Sequence, residues 1–293
     1  MFADFRHFFR LSRPVNVLIS AVAFAIACFL AMGKSADFLL DAEFWATAFV
    51  ITGIAATGYW INDVFDFRID RINKPRKTIV NAHLSVKKVL TVYFAANFIL
   101  MAFSLIFFGF YLNRINVTFI NALSVLMLFV YASWLKRVSV AGNLVISFLT
   151  ALVLFLAYYV YDRVSLALIW AIVFAFEITL IREITKDVED IRGDLAYQLR
   201  TLPIQIGIRS TRHVLYGLYA IFLLTCWMPV LMMLAVKGLW LWQYALASVL
   251  LVQAPAAWII GKLRAAAEPE QYSRQSRALK YLMLSGMITL FFL

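Results

Sequence analysis

Residues 44–70 read FWATAFVITGIAATGYWINDVFDFRID, and this segment indicates the architecture of the whole chain. Residues 44–61 contain no charged side chain, whereas residues 62–70 contain three aspartates. About 20 apolar residues in a helix cross a bilayer, so the uncharged run predicts a membrane-spanning helix that ends at an acidic boundary.

Runs of the same kind occur along the rest of the chain. Of the 293 residues, 64% are hydrophobic and 15% are charged, and the mean hydropathy is +0.85. The predicted spans are approximately 15–32, 44–61, 89–108, 116–134, 141–161, 165–181, 213–236, 239–261 and 278–293. We therefore predict an all-α, polytopic membrane protein with nine transmembrane helices in one domain, residues 1–293.

The basic residues predict how the chain is oriented in the membrane. The net charge is +11, and 23 of the 27 Lys and Arg residues fall in alternate connections if the N-terminus is cytoplasmic. The opposite connections hold only Lys34, Arg114, Arg163 and Lys237. By the positive-inside rule we expect a cell-membrane protein whose N-terminus is cytoplasmic and whose C-terminus is outside, with a basic face toward anionic lipid. This distribution argues against a nucleic-acid partner.

The acidic residues form two triplets with one spacing. Three aspartates recur at positions i, i+3 and i+7 in both segments, namely Asp63, Asp66, Asp70 and Asp187, Asp190, Asp194. On a helix, neighbouring carboxylates at this spacing lie about 5 to 6 Å apart and repel by about 3 kcal/mol at an effective dielectric near 20. All-oxygen ligands select hard ions, so the triplets predict Mg²⁺. The alternative is a pair of solvated helix faces neutralised by nearby Arg and Lys.

Basic residues accompany the carboxylates in two connections predicted at about 62–88 and 182–212. They are Arg68, Arg71, Lys74, Arg76, Lys77, Arg182, Lys186 and Arg192. Metal ions, carboxylates and cations together suit a diphosphate leaving group, whose negative charge grows as its carbon–oxygen bond breaks. The aromatic content of 16% suits a cavity that keeps an allylic cation from water, and it suits lipid contact equally well.

These segments resemble the UbiA superfamily of intramembrane prenyltransferases. Residues 62–70 match its first aspartate motif, and residues 187–194, DVEDIRGD, match its second. Residues 13–16, RPVN, residues 131–137 and the pair Gly142–Asn143 support the likeness. The resemblance implies nine helices around a central cavity, with both motifs on cytoplasmic cap helices. It also implies Mg²⁺-dependent transfer of a prenyl group from an isoprenyl diphosphate to a lipophilic acceptor.

The resemblance further implies roles for individual residues. One Mg²⁺ would be held by Asn62, Asp63, Asp66 and Asp70, and a second by Asp187, Asp190 and Asp194. The candidates to bind phosphate oxygens are Arg68, Lys74, Lys136, Arg182 and Lys186. The cavity near the reacting centre would be lined by Asn16, Tyr131 and Asn143. Each of these three has an alternative, which is interhelical hydrogen bonding for Asn16, interfacial anchoring for Tyr131 and helix capping for Asn143.

The acceptor is predicted from a narrower likeness. Residues 72–75, 182–190 and 201–203 are most similar to the branch that alkylates geranylgeranylglyceryl phosphate for ether lipids. Residues 77–81, KTIVN, depart from that branch, which usually has arginine-proline followed by small residues. The alternatives are an aromatic acceptor of quinone, haem or chlorophyll biosynthesis or, in a different class, a membrane transporter.

Overall fold

The computed structural model describes residues 2–75, 78–264, 266 and 268–293, without the side chains of residues 2 and 3. In this part of the chain the regular structure is helical, with two isolated β-bridges, Val80 to Leu84 and Val138 to Arg200. The predicted all-α class is therefore confirmed. Arg76 and Lys77, two of the basic residues noted above, lie outside the described residues.

Thirteen α-helices are found among the described residues. They are α1 (Phe2–Leu11), α2 (Pro14–Ala31), α3 (Ala42–Asn73), α4 (Val86–Ser104), α5 (Ile115–Ser133), α6 (Ala141–Tyr161), α7 (Leu166–Glu189), α8 (Ile191–Ala196), α9 (Leu202–Thr225), α10 (Met228–Lys237), α11 (Trp242–Ser248), α12 (Ala254–Arg264) and α13 (Pro269–Thr289). A π-helical segment, Leu105–Tyr111, extends α4, and another, Val249–Gln253, joins α11 to α12.

Side chains at the helix starts satisfy backbone N–H groups that have no partner within the helix. Asp41 accepts from the Glu43 N–H before α3, at 2.9 Å, and Ser165 accepts from the Leu168 N–H before α7, at 3.0 Å. Such caps are typical of Asp and Ser. They fix where α3 and α7 begin.

Seven helical stretches of the described chain are long and apolar enough to cross a membrane. They are Pro14–Ala31, Ala42–Asn73, Val86–Tyr111, Ile115–Ser133, Ala141–Tyr161, Leu202–Lys237 and Trp242–Arg264. The sixth and ninth predicted spans fall in α7 and α13, which are more polar because α7 carries Glu177, Arg182 and Glu183 and α13 has a charged first half. The multi-pass prediction is thus supported by seven helices, and the count of nine stays a prediction.

The long helices form a closed ring. Helix α3 packs on α2 and α5, α5 packs on α6, α6 packs on α7, and α7 packs on α9 and α13, while α2 also packs on α6. Helix α13 also contacts α2, which closes the ring. Two clusters of buried apolar side chains pack between these helices. One surrounds Phe24, Val50 and Ala157, and the other surrounds Leu215 and Leu279. A central cavity of about 290 Å³ lies inside the ring.

Candidate active site

The first acidic triplet lies on the last three turns of α3. The prediction that a connection begins at residue 62 is wrong, because α3 continues to Asn73. Ile61, Val64 and Ile69 are buried along this extension, so its apolar face keeps packing after the membrane run has ended. The i, i+3, i+7 spacing therefore does place Asp63, Asp66 and Asp70 on one helix.

Two side chains orient the first triplet. The Asn62 amide donates to Asp66 Oδ2 at 2.6 Å, one helical turn away. Arg13 Nη2 lies 2.6 Å from Asp63 Oδ1, and its guanidinium stacks over the Tyr59 ring at 4.9 Å. Arg13 has a left-handed backbone, with φ 49°, that ends the connection between α1 and α2. This uncommon conformation directs a residue from the start of the chain onto the first motif.

The second triplet is divided between two helices. Asp187 lies on α7, Asp190 lies between the helices with φ −92° and ψ 5°, and Asp194 lies on α8. The single helical stripe that the spacing suggested is therefore wrong for this motif. Asn143, from the start of α6, donates from its amide to Asp187 Oδ2 at 2.8 Å. Helix capping was the alternative role for Asn143, and its amide instead contacts the predicted metal ligand.

Asn73 and Lys74 join the two motifs directly. The Asn73 amide donates to the Asp190 carbonyl at 2.9 Å and accepts from the Gly193 N–H at 2.8 Å. Lys74 Nζ lies 2.7 Å from Asp190 Oδ1. A Cβ on Gly193 would fall 2.5 to 2.8 Å from the Asn73 side chain, so any other residue here would displace Asn73. The end of α3 thus contacts the second motif at the break between α7 and α8.

Lys136 reaches the same place from the connection between α5 and α6. Its ammonium forms an ion pair with Asp66, which is 4% exposed. The Arg200 N–H donates to the Arg137 carbonyl at 3.2 Å, which ties this connection to the segment after α8. Gly142 allows the close contact with α6, since a Cβ there would lie 3.0 Å from the Leu135 carbonyl oxygen.

The ion pairs leave part of the acidic charge uncompensated. Asp63, Asp66 and Asp190 are paired with Arg13, Lys136 and Lys74. The other three aspartates have no ion pair with any residue that the structure describes, and they are Asp70, Asp187 and Asp194. Asp194 is only 2% exposed. A buried carboxylate without a cation is costly, so the site favours the binding of further positive charge.

Burial and neighbouring charges shift the pKa values of Asp194, Lys136 and Lys74. Burial raises the pKa of Asp194 to about 7, and the negative charges of Asp190 and Asp66 act in the same direction against the positive charge of Lys136. The pKa of Lys136 lies well above its usual value, because attraction to Asp66 outweighs the effect of burial. The pKa of Lys74 is raised by Asp190 against its own burial. Both lysines are therefore cations at neutral pH.

The oxygen ligands present fit Mg²⁺. No group of three or more Asp, Glu, His or Cys side chains gathers around one point within residues 2–75, 78–264, 266 and 268–293. Mg²⁺ in proteins typically takes one or two carboxylates and completes its shell with water and substrate phosphate. The unpaired Asp70, Asp187 and Asp194 supply carboxylates of that kind on both motifs, so the donor set suits the ion without such a cluster.

The cavity combines an apolar body with a charged end. Ile51, Leu128 and Phe174 are among the side chains on its apolar walls. Its charged and polar end is lined by Arg13, Asn16, Asn62, Tyr131, Arg182, Glu183, Lys186 and Lys280. Such a cavity can hold an isoprenoid chain away from water with its anionic head at the acidic motifs.

Glu183 organises two of the cations at this end. It is buried, and its two oxygens accept from Arg182 at 2.7 Å and from Lys186 at 3.4 Å. These contacts hold both predicted phosphate-binding residues at the cavity wall. The pairing also means that Arg182 and Lys186 are partly neutralised before any ligand arrives.

The structure brings together most of the predicted site residues. The exception is Arg68, which is exposed, lies over the Phe67 ring at 5.5 Å and forms no ion pair with a described carboxylate. Four side chains at the site were missed as site residues by sequence reasoning, namely Arg13, Asn73, Glu183 and Lys280. Arg13 and Asn73 lie in or beside the matched motifs, so their position in the sequence could have identified them as site residues. Lys280 carries no motif and is recognised only from its position.

Comparisons with known proteins agree with this arrangement. A model of the UbiA prenyltransferase family matches residues 18–281. A digeranylgeranylglyceryl phosphate synthase of Methanothermobacter thermautotrophicus is 33% identical over 270 residues, which is 92% of this chain and 89% of that protein. The protein of the same name from Saccharolobus solfataricus is 34% identical over 209 residues, 68% of this chain and 72% of that protein.

Solved structures share the fold. A digeranylgeranylglyceryl phosphate synthase structure has a TM-score of 0.71 at 22% identity and covers 99% of this chain and 98% of its own. A UbiA homolog from Archaeoglobus fulgidus bound to DMAPP and Mg²⁺ has a TM-score of 0.59 at 16% identity and covers 98% and 99%. The helical ring is therefore the architecture of these proteins.

Proposed function

The chain belongs to the UbiA prenyltransferase family, and from this premise we propose that it transfers a geranylgeranyl group from geranylgeranyl diphosphate to geranylgeranylglyceryl phosphate. The observation that carries the proposal is the junction of two acidic motifs, through Asn73 and Lys74, beside an apolar cavity with a cationic end. The acceptor is taken from the relatives, which are named for the product of this reaction.

The proposed reaction forms one bond and breaks one. The acceptor hydroxyl oxygen bonds to C1 of the prenyl donor as the bond from C1 to the diphosphate oxygen breaks, and the hydroxyl proton is released. When bound, Mg²⁺ neutralises the diphosphate and stabilises it as a leaving group. Two ions are proposed, each held by one or two carboxylates of one motif. The candidate ligands are Asn62, Asp63, Asp66 and Asp70 for the first ion and Asp187, Asp190 and Asp194 for the second. Solved UbiA homologs with DMAPP and Mg²⁺ and with GPP and Mg²⁺ support this cofactor.

Different residues of the chain act on the diphosphate and on C1 of the prenyl donor. Lys74 and Lys136 bear positive charge beside Asp190 and Asp66, where the diphosphate would meet the acidic motifs. Lys186 and Arg182 face the cavity and can take up charge as the leaving group departs. The Tyr131 ring is buried in the cavity wall, where its π face favours a cationic C1. Asn143 orients Asp187.

The proposed orientation follows from the positive-inside rule. Nine helices cross the membrane as a single domain, with α7 and α13 as the two more polar spans. The N-terminus and both acidic motifs face the cytoplasm, where a charged diphosphate is available, and the C-terminus faces outside. The bias of 23 of 27 Lys and Arg supports this arrangement.

A reconstituted assay tests the function. Purified protein in detergent or liposomes is incubated with labelled geranylgeranyl diphosphate, Mg²⁺ and geranylgeranylglyceryl phosphate, and product is separated by chromatography. We expect a Mg²⁺- and acceptor-dependent diether product that EDTA abolishes. The matched acceptor panel contains aromatic acids. Product only with an aromatic acceptor overturns the acceptor assignment, and absence of product with every acceptor, together with substrate transport across the liposome, overturns the enzyme assignment.

A further inference from the structure

Lys280 lies in the cavity wall at a place that the proposed diphosphate chemistry does not use. It is on α13, and its ammonium donates to Asn16 Oδ1 on α2 at 2.8 Å. These helices meet where the ring closes. The Asn16 amide nitrogen makes no hydrogen bond to any described residue and is free to donate to a ligand.

Several cations surround Lys280 with little negative charge to balance them. Arg182, Arg13 and Lys186 are the positive groups that act on it, and Glu183 is the negative one. Glu183 is already bonded to both Arg182 and Lys186, and Arg13 is bonded to Asp63. The cavity end at α2 and α13 therefore keeps surplus positive charge beside Lys280. A lysine in an apolar cavity without a carboxylate partner favours an anionic ligand.

Lys280 and Asn16 are themselves distinct from the groups assigned to the donor, although Arg182 and Lys186, assigned to the leaving group, are among the cations beside Lys280. Lys74 and Lys136, which contact the aspartates of the two motifs, do not line the cavity. Lys280 and Asn16 line the cavity and contact neither motif directly. A site with two anionic substrates needs a cationic group for each of them, and Lys280 is a cavity-lining cation that forms no ion pair with a described residue.

We propose that Lys280, with Asn16, binds the phosphate group of the acceptor lipid. The inference rests on the proposed function, since it gives the acceptor's own phosphate a place. Lys280 donates charge-assisted hydrogen bonds to the phosphate oxygens, and the Asn16 amide adds a further donor. Anchored there, the acceptor extends its glycerol hydroxyl toward the acidic motifs. The preference for a phosphorylated acceptor then depends on Asn16 of α2 and Lys280 of α13.

The test compares acceptors with and without the phosphate. Steady-state kinetics in mixed micelles use geranylgeranylglyceryl phosphate and geranylgeranylglycerol, with wild type and Lys280→Gln. We expect the variant to raise the KM for the phosphorylated acceptor about tenfold to a hundredfold, the value of a charge-assisted hydrogen bond. The KM for geranylgeranyl diphosphate and the rate with geranylgeranylglycerol stay within about twofold. Lys280→Arg restores most of the affinity because it keeps the charge.

Two further variants control for folding and for general charge effects. Arg277→Gln removes one positive charge from an exposed position one turn earlier on α13, and we expect unchanged kinetics. Asn16→Ala removes the hydrogen-bond partner and should raise the acceptor KM by a smaller factor. Thermal unfolding in detergent is measured for each variant.

The outcomes separate this inference from the proposed function. A rise in the KM for the diphosphate donor, with the acceptor KM unchanged, overturns the assignment of Lys280 and leaves the transferase intact. Equal loss with both acceptors also overturns it, because the effect then does not involve the phosphate. If wild type prenylates only aromatic acceptors, the proposed function fails instead. If Lys280→Gln does not fold, the acceptor KM values of Asn16→Ala are compared instead. A rise for the phosphorylated acceptor alone supports the proposal, and no difference between the two acceptors overturns it.

Discussion

The two acidic motifs have the same residue spacing but are supported differently. The first lies on the continuous helix α3, where Asn62 and Lys136 both contact Asp66. The second is divided at Asp190 between α7 and α8, and it is oriented by groups from α3 and α6. The first motif therefore keeps the geometry of one continuous helix, to which the distant Arg13 and Lys136 add ion pairs, whereas the second motif is interrupted where Asn73 from α3 contacts it. Equal spacing in a sequence does not imply equal geometry.

The largest expected effect tests whether the motifs are equivalent in chemistry. Asp66→Asn and Asp194→Asn should each lower kcat/KM about 10³-fold, because each removes a buried carboxylate that would hold Mg²⁺ at the diphosphate. Asp162→Asn is the control, because it changes a carboxylate at the far end of α6, where asparagine also accepts the left-handed backbone. A severe loss in only one motif variant would break the equivalence.

The next effect tests the dependence of the second motif on α3. Gly193→Ala should lower kcat/KM about tenfold to a hundredfold, since its Cβ would fall within 3 Å of Asn73 and separate the motifs. Gly261→Ala is the matched control, because nothing lies within 4 Å of the added Cβ, and we expect unchanged activity. In the Asn73→Ala background the same Gly193→Ala change should cost little more, as measured by a double-mutant cycle. Additive losses would contradict a direct contact.

Mg²⁺ binding at the second motif should depend on pH. The raised pKa of Asp194, about 7, means that the carboxyl is largely protonated at pH 6 and ionised at pH 8. Mg²⁺ binds the ionised form, so its affinity should rise with pH up to about pH 7 and level off above it. Isothermal titration of the protein with Mg²⁺ in buffers of different ionisation enthalpy measures the proton released. Asp194→Asn should reduce that release, and an unchanged release would refute the assignment.

The smallest effect defines the edge of the second motif. Arg192 lies between Asp190 and Asp194 in sequence, yet its side chain is 60% exposed and contacts the exposed Glu268 and Glu270. Exposed ion pairs contribute about 0 to 1 kcal/mol. Arg192→Gln should therefore leave kcat/KM within about twofold and leave the thermal midpoint nearly unchanged. A large loss of activity would extend the site to α13.

The helices and the chemical character of the motifs could be predicted from local patterns. Uncharged runs identify spans because a bilayer requires about 20 apolar residues in a helix. The end of α3 was predicted too early, since Ile61, Val64 and Ile69 continue an apolar face that a composition change at Asn62 hides. The break at Asp190 was missed because the side chain that contacts it, Asn73, lies 117 residues earlier.

By itself the sequence determined an all-helical membrane chain, two carboxylate triplets suited to Mg²⁺, and membership of a prenyltransferase family. Only the tertiary structure decided which cation meets which carboxylate or amide. Arg13 meets Asp63 across 50 residues, Lys74 meets Asp190 across 116, and Lys280 meets Asn16 across 264. The physical reason is that helix formation and membrane insertion depend on neighbours along the chain, whereas an ion pair depends on distance in space after the ring of helices has closed.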